Sequence, residues 1–233
     1  MQNTNEWLKE QLKQYSEKEY QKFSSALLPG ADNVLGVRLP RLRKLAKELA
    51  KGDWESYLSQ ALDDSMEETL LQGMTLGYVK ASFAEKKPYL DFFVGKIENW
   101  SVCDSTCSSM KPVYAEDVEK FFAYACQCVK DDREFVIRFG VVMILDYYIT
   151  ESYIHEVLPL LDEVVHDGYY VKMAVAWAIS ICYVKFPEET MILLQNSKMD
   201  DFTYNKALQK ITESHQVSKE DKAVIRSMKR RSR

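Results

Sequence analysis

Trp100-Ser-Val-Cys-Asp104 is the segment of this chain whose residue types and spacing most readily do chemistry. If it is helical, the i, i+4 spacing puts indole and carboxylate on one face. Such a face suits a cationic ligand, which the ring attracts through its quadrupole and the carboxylate through its charge. Two more residues stand out as odd members of apolar helical runs: Arg138 in Val-Ile-Arg138-Phe-Gly-Val-Val-Met-Ile-Leu, and Trp177 in Met-Ala-Val-Ala-Trp177-Ala-Ile. Each of the four has a plain structural reading. Trp100 could be a packing residue and Asp104 a cap or surface acid. Arg138 could pair with Glu134 one turn earlier, and Trp177 could fill a helix interior. Together they leave an acid, an arginine and two tryptophans in three successive helical units.

The elements that must position them read as helix after helix. Apolar periodicity and punctuation predict helices over 4–14, 16–28, 40–51, 54–62, 67–80, 86–97, 101–110, 114–130, 133–148, 151–163, 169–184, 188–195, 202–213 and 218–230. Pro40 suits a first helical turn, Gly52-Asp53 offers a stop followed by an N-cap, and Pro187 ends the run through Phe186. A weak internal repeat places a basic residue at 138, 172 and 206, a step of 34. Each unit would be one helical hairpin. Stacked hairpins predict an all-α, curved solenoid with a concave cleft that the repeated basic position could line; a compact non-repeating bundle is the alternative. The expected organisation is one HEAT-like domain over 1–228, followed by a basic tail over 229–233 that terminal position predicts to be disordered.

Composition narrows the function classes. With 233 residues, 46% hydrophobic and 28% charged, the chain can bury a substantial core. No apolar run approaches the roughly 20 residues that cross a bilayer, and the polar N-terminus is unlike an export signal, so a cytoplasmic protein is expected. The five cysteines, at 103, 107, 126, 128 and 182, form no C-x-x-C pair. Reduced thiols are the expectation, and with three scattered histidines a zinc site has little support. Cys103 adjoins Asp104, whose charge disfavours a thiolate nucleophile. There is no G-x-S-x-G and no phosphate-binding Gly-rich loop.

The net charge of −4 conceals an asymmetry. Residues 34–51 carry six Lys/Arg against one acid, and residues 217–233 carry seven against two. Residues 52–110 carry four lysines against ten acids. A dedicated polyanion binder is usually basic overall. Here only the basic ends allow a phosphate-contacting surface, and each could equally be a solvated helix face.

These residues support a resemblance. The chain resembles the AlkD-type DNA alkylation repair glycosylases, built from HEAT-like repeats, from Leu35-Gly-Val-Arg-Leu-Pro-Arg-Leu-Arg-Lys-Leu45 to about Thr203. The first stretch is similar to the family's G-[IV]-x-x-P-x-x-[RK] opening segment. Trp100-x-x-x-Asp104 matches its Trp-Asp pair, Arg138 follows at the family's distance, and Trp177 falls in a segment like that of its second cleft tryptophan. The resemblance implies an enzyme that hydrolyses the N-glycosidic bond of cationic N3- and N7-alkylpurines in duplex DNA. It also implies that the base is not flipped into a pocket, unlike the general glycosylase pattern. Asp104 would stabilise positive charge building on the deoxyribose and position a water. Trp100 and Trp177 would pack on sugar and backbone, and Arg138 would hold a phosphate and keep Asp104 ionised. Arg38, Arg41, Arg43, Lys44, Lys172 and Lys206 are the candidate DNA contacts. No metal or redox cofactor is expected, and the partner would be alkylated double-stranded DNA bound by a monomer, with no membrane. The chain departs from the family pattern at Arg38, near the place of a polar amide, and at Ser180, where a basic residue would contact DNA. Two other uses of such a scaffold stay open: a non-catalytic binder of damaged or branched DNA, and a protein-interaction solenoid, which the acidic 52–110 stretch favours.

Overall fold

The computed structural model describes residues 4–31, 33–111 and 117–231. Among them are fourteen helices, and the single β-type pairing is an isolated bridge between Ser16 and Val37. The chain is all-α, as the periodicity predicts. It divides into two compact units, Met1–Phe121 and Phe122–Arg233.

Unit 1 holds α1 (Thr4–Tyr15), α2 (Lys18–Ala26), α3 (Leu39–Leu49), α4 (Trp54–Gln60), α5 (Met66–Tyr78), α6 (Phe83–Val94) and α7 (Trp100–Cys107). α5 is its core helix, packed against α3, α6 and α7. Leu70, Leu71, Met74 and Leu76 on it are sealed from water, each worth about 1.5–3 kcal/mol of apolar burial. Gly77 is what lets α7 come close, because a Cβ there would fall inside the backbone of Ser109.

Side-chain caps set the starts. Asp53 accepts from Ser56 N at 3.1 Å, and Ser65 from Glu68 N at 3.3 Å. Asn99 accepts from Val102 N at 3.0 Å and so starts α7 at Trp100. A cap of this kind contributes about 1 kcal/mol. The sixth helix begins three residues before the expected 86, because Ser82 and Glu85 form a reciprocal capping box. Pro40 lies in the first turn of α3, as expected.

Unit 2 takes in most of α8 (Val118–Val129), then α9 (Glu134–Tyr147), α10 (Ile154–Asp162), α11 (Tyr169–Lys185), α12 (Pro187–Asn196), α13 (Asp201–Glu213) and α14 (Lys219–Ser227). Residues 114–116 of the helix expected over 114–130 lie outside the described residues. The 34-residue step is structural. α9, α11 and α13 pack side by side in that order, and α10, α12 and α14 are the second helices of three successive hairpins. Positions 138, 172 and 206 fall within the first two turns of the three leading helices. Of the tail expected over 229–233, Lys229–Arg231 are described and Arg230 is held firmly; 232–233 lie outside the described residues.

Candidate functional site

α7 is short and, on all sides but one, buried. Val102, Cys103, Ser105, Thr106 and Cys107 face the interior of unit 1, while Trp100, Ser101 and Asp104 reach the surface on one stripe that continues to exposed Ser108. The helix thus puts one indole and one carboxylate a single turn apart on its open face. The indole is not loose: its Nε1 donates to the Leu27 carbonyl at the end of α2, 3.2 Å away.

The far end of α7 is braced by Arg43, whose place is inside unit 1. Its Nη1 donates to Tyr78 Oη at 3.2 Å and Ser109 Oγ at 3.4 Å, and its Nη2 to Ser108 Oγ at 3.0 Å. Both serine hydroxyls in turn donate to the Ser105 carbonyl. A guanidinium there also meets the negative end of the helix dipole. Arg43→Met keeps the stem and removes the fork. We expect a loss of about 1–2 kcal/mol, read from the urea midpoint, and weaker seating of the helix that carries Asp104.

The other basic candidates of α3 divide by what they touch. Arg38 pairs with Glu17 at 3.0 Å and lies over the Tyr20 ring at 4.7 Å. The hydrogen bond from Arg38 holds the Glu17 carboxyl below its ordinary range, against a smaller opposing effect of burial. Arg41 lies 5.0 Å from the Tyr15 centroid. Lys44 is exposed and has no ion pair among the described residues. Arg41, Lys44 and Lys47 are therefore the exposed cations of α3 without an ion pair among the described residues.

The loop that leads into α3 is fixed by a residue the sequence reading passed over. Glu67, only 1% exposed, accepts from three successive backbone amides: Leu35 N at 2.9 Å, Gly36 N at 2.7 Å and Val37 N at 3.1 Å. Gly36 has φ +85°, and a Cβ there would stand 2.7 Å from Gln21 N and Glu17 O. Left-handed backbone and backbone contact together leave no room for a side chain. Gly36→Ala should cost roughly 2–4 kcal/mol, seen as a lower thermal midpoint with the helical spectrum otherwise retained below it.

In unit 2, Arg138 is buried on α9, 6% exposed, and its Nη1 donates to the Tyr170 carbonyl at 2.9 Å. Glu134, one turn earlier, accepts from Tyr170 N at 2.7 Å. Glu134 and Arg138 thus both grip the first turn of α11. Trp177 is half-buried on α11, on a stripe with the half-buried Met173 and Ile181. Ser180 is buried and donates to the Trp177 carbonyl at 2.7 Å. Lys172 stands 3.6 Å from Asp167 and 3.7 Å from Asp200. Lys206 donates to Gln209 Oε1 at 3.0 Å and lies 5.9 Å from the Phe202 centroid. The Trp100–Asp104 pair belongs to unit 1; Arg138, Lys172, Trp177 and Lys206 belong to unit 2.

None of the five cysteines is joined in a disulfide, and four are buried. Burial pushes the Cys182 thiol up to about 12. Among the described residues no group of His, Cys, Asp and Glu is arranged to hold a metal ion, and no helix is long and apolar enough to cross a membrane.

The family model described as DNA alkylation repair enzyme matches residues 8–211. Among solved structures, the chain is similar to the crystal structure of smu.31 from Streptococcus mutans UA159. That match has a TM-score of 0.59 at 18% identity and covers 88% of this chain and 98% of that one, a likeness of fold. No curated protein matches.

Proposed function

Because the chain belongs to the DNA alkylation repair enzyme family, we propose that it is a glycosylase that hydrolyses the N-glycosidic bond of cationic N3- and N7-alkylpurines in duplex DNA, without turning the base into a pocket. The observation that carries the reading is the open stripe of α7, with Trp100 and Asp104 one turn apart on a helix otherwise sealed into its unit. An alkylated purine carries a positive charge and departs neutral when its bond to C1′ breaks. The charge moves to the deoxyribose, where a carboxylate stabilises it and orients a water. That water adds to C1′, its proton passes to solvent, and an abasic site remains. Trp100, its indole pinned to Leu27, packs against the sugar and favours the cationic state.

The test is chromatography of bases released from methylated duplex DNA with protein in excess. Release of 7-methylguanine and 3-methyladenine is expected. Salt-sensitive DNA binding without release would instead favour a non-catalytic binder on the same scaffold.

A further inference from the structure

In the third hairpin, α13 and α14 enclose an open groove of about 500 Å³. One wall is the outer face of α13, where Phe202, Asn205, Lys206 and Gln209 line it at helical spacing. The other wall carries Arg226 and Lys229, from α14 and the turn that follows it. Both are exposed, and neither side chain has a hydrogen bond or ion pair among the described residues. The acid lining the groove is Asp201, and Arg230 Nη1 lies 3.6 Å from it. Glu213 stands at the far end, where Gln209 Nε2 donates to it at 2.7 Å. The groove therefore presents three cations against one acid that already has a cation beside it. Phe202, 41% exposed, forms an aromatic wall together with Tyr169, whose ring is 6.2 Å away and whose side chain is more exposed still.

The cationic wall is held in place. Arg230 N donates to Asn205 Oδ1 and Asn205 Nδ2 donates back to the Arg230 carbonyl, both at 2.9 Å. Its guanidinium lies 3.8 Å from the Tyr204 centroid and donates to the Met199 and Ser197 carbonyls at 2.6 Å each. That clamp fixes the segment next to Lys229 against α13, so Lys229 and Arg226 stay over the groove. The groove thus gathers unpaired cations beside an exposed aromatic ring.

We propose that the α13–α14 groove is a phosphodiester-binding site that takes the backbone of the DNA duplex flanking the lesion. Phosphates would sit on Arg226 and Lys229, the footprint would extend past Lys206, and Phe202 would form the groove's apolar wall. The proposal rests on the DNA-repair reading. Its chemistry is that of any phosphate ester, so a free phosphate or nucleotide is the competing source.

The test is fluorescence anisotropy of a labelled duplex over a range of salt concentrations, comparing wild type with the double variant Arg226→Glu, Lys229→Glu. Each released phosphate contact lowers the slope of log K against log salt by about 0.9. Loss of two contacts should therefore flatten the slope by roughly 2 and weaken binding at low salt by about tenfold or more. Arg226→Gln, Lys229→Gln serves where the reversed charges disturb folding, and should give the same flattening. Equal slopes for wild type and the folded variants, or no duplex binding by wild type, overturn the proposal. Displacement of the duplex by millimolar inorganic phosphate or dAMP from wild type, but not from the variants, would assign the groove to a free phosphate ligand and overturn the DNA assignment. Base release by the wild type, measured alongside, judges the glycosylase reading separately. Release with unchanged slopes leaves that reading and removes the groove; flattened slopes without release do the reverse.

Discussion

Replacing Asp104 by Asn should lower single-turnover release of 7-methylguanine from duplex DNA about 10²- to 10³-fold. The change keeps the shape of the side chain and removes the charge that, in the proposed reaction, would stabilise the positive centre developing on the sugar. Asp104 sits on the open stripe of α7, and the packing of that helix is carried by Val102, Cys103, Thr106 and Cys107 on its buried side. The helix should therefore persist, with an unchanged far-UV spectrum and a thermal midpoint close to wild type. Binding to undamaged duplex should hold or tighten, because a negative group near the phosphates has gone. A variant that keeps its fold and its DNA affinity yet loses release marks a transition-state role. A variant that releases base at the wild-type rate would remove Asp104 from the chemistry.

The second large effect is structural. Glu67→Ala should destabilise the protein by roughly 3–5 kcal/mol, a fall in thermal midpoint of about 10 °C or more. The carboxylate is sealed from water and accepts from Leu35 N, Gly36 N and Val37 N. Alanine leaves three amides without their acceptor and opens a cavity at the start of α5. The loop they hold delivers the basic face of α3, including Arg41 and Lys44, and bears on the N-terminal end of that helix. Amide exchange at residues 35–37 should rise most. Glu67→Gln, which keeps one carbonyl oxygen, should recover part of the loss. An alanine variant as stable as wild type, with residues 35–37 still protected, would show that the loop is held by other contacts.

Much of this architecture is legible before any coordinates. Helical periodicity is local, so the helices and most of their ends follow from it, as do Pro40 in the first turn of α3 and Asp53 as the cap of α4. The shared face of Trp100 and Asp104 is likewise a matter of spacing. The basic step through 138, 172 and 206 marks the leading helices of three real hairpins.

What escapes the sequence is the long-range use of polar groups. Nothing near Glu67 in the chain says that its partners lie some thirty residues earlier, and it reads as an ordinary acid in a first helical turn. Arg43 looks like its basic neighbours Arg41 and Lys44, yet its fork reaches Ser108 and Ser109, 65 and 66 residues away. Arg138 reads as a partner for Glu134, but each grips the backbone of Tyr170 instead. Arg230, in a stretch expected to be a loose tail, is fixed by five polar and aromatic contacts to groups between Ser197 and Asn205. A signal was available there: Tyr204 and Asn205 are a flat ring and an amide that can receive a terminal arginine.

The most direct test of the central claim is the product balance from a duplex carrying a single 7-methylguanine, incubated with excess wild-type protein. The account predicts free 7-methylguanine and abasic sites in equal amounts, with no strand cleavage before alkali. Intact duplex recovered from a folded, DNA-bound protein would contradict it.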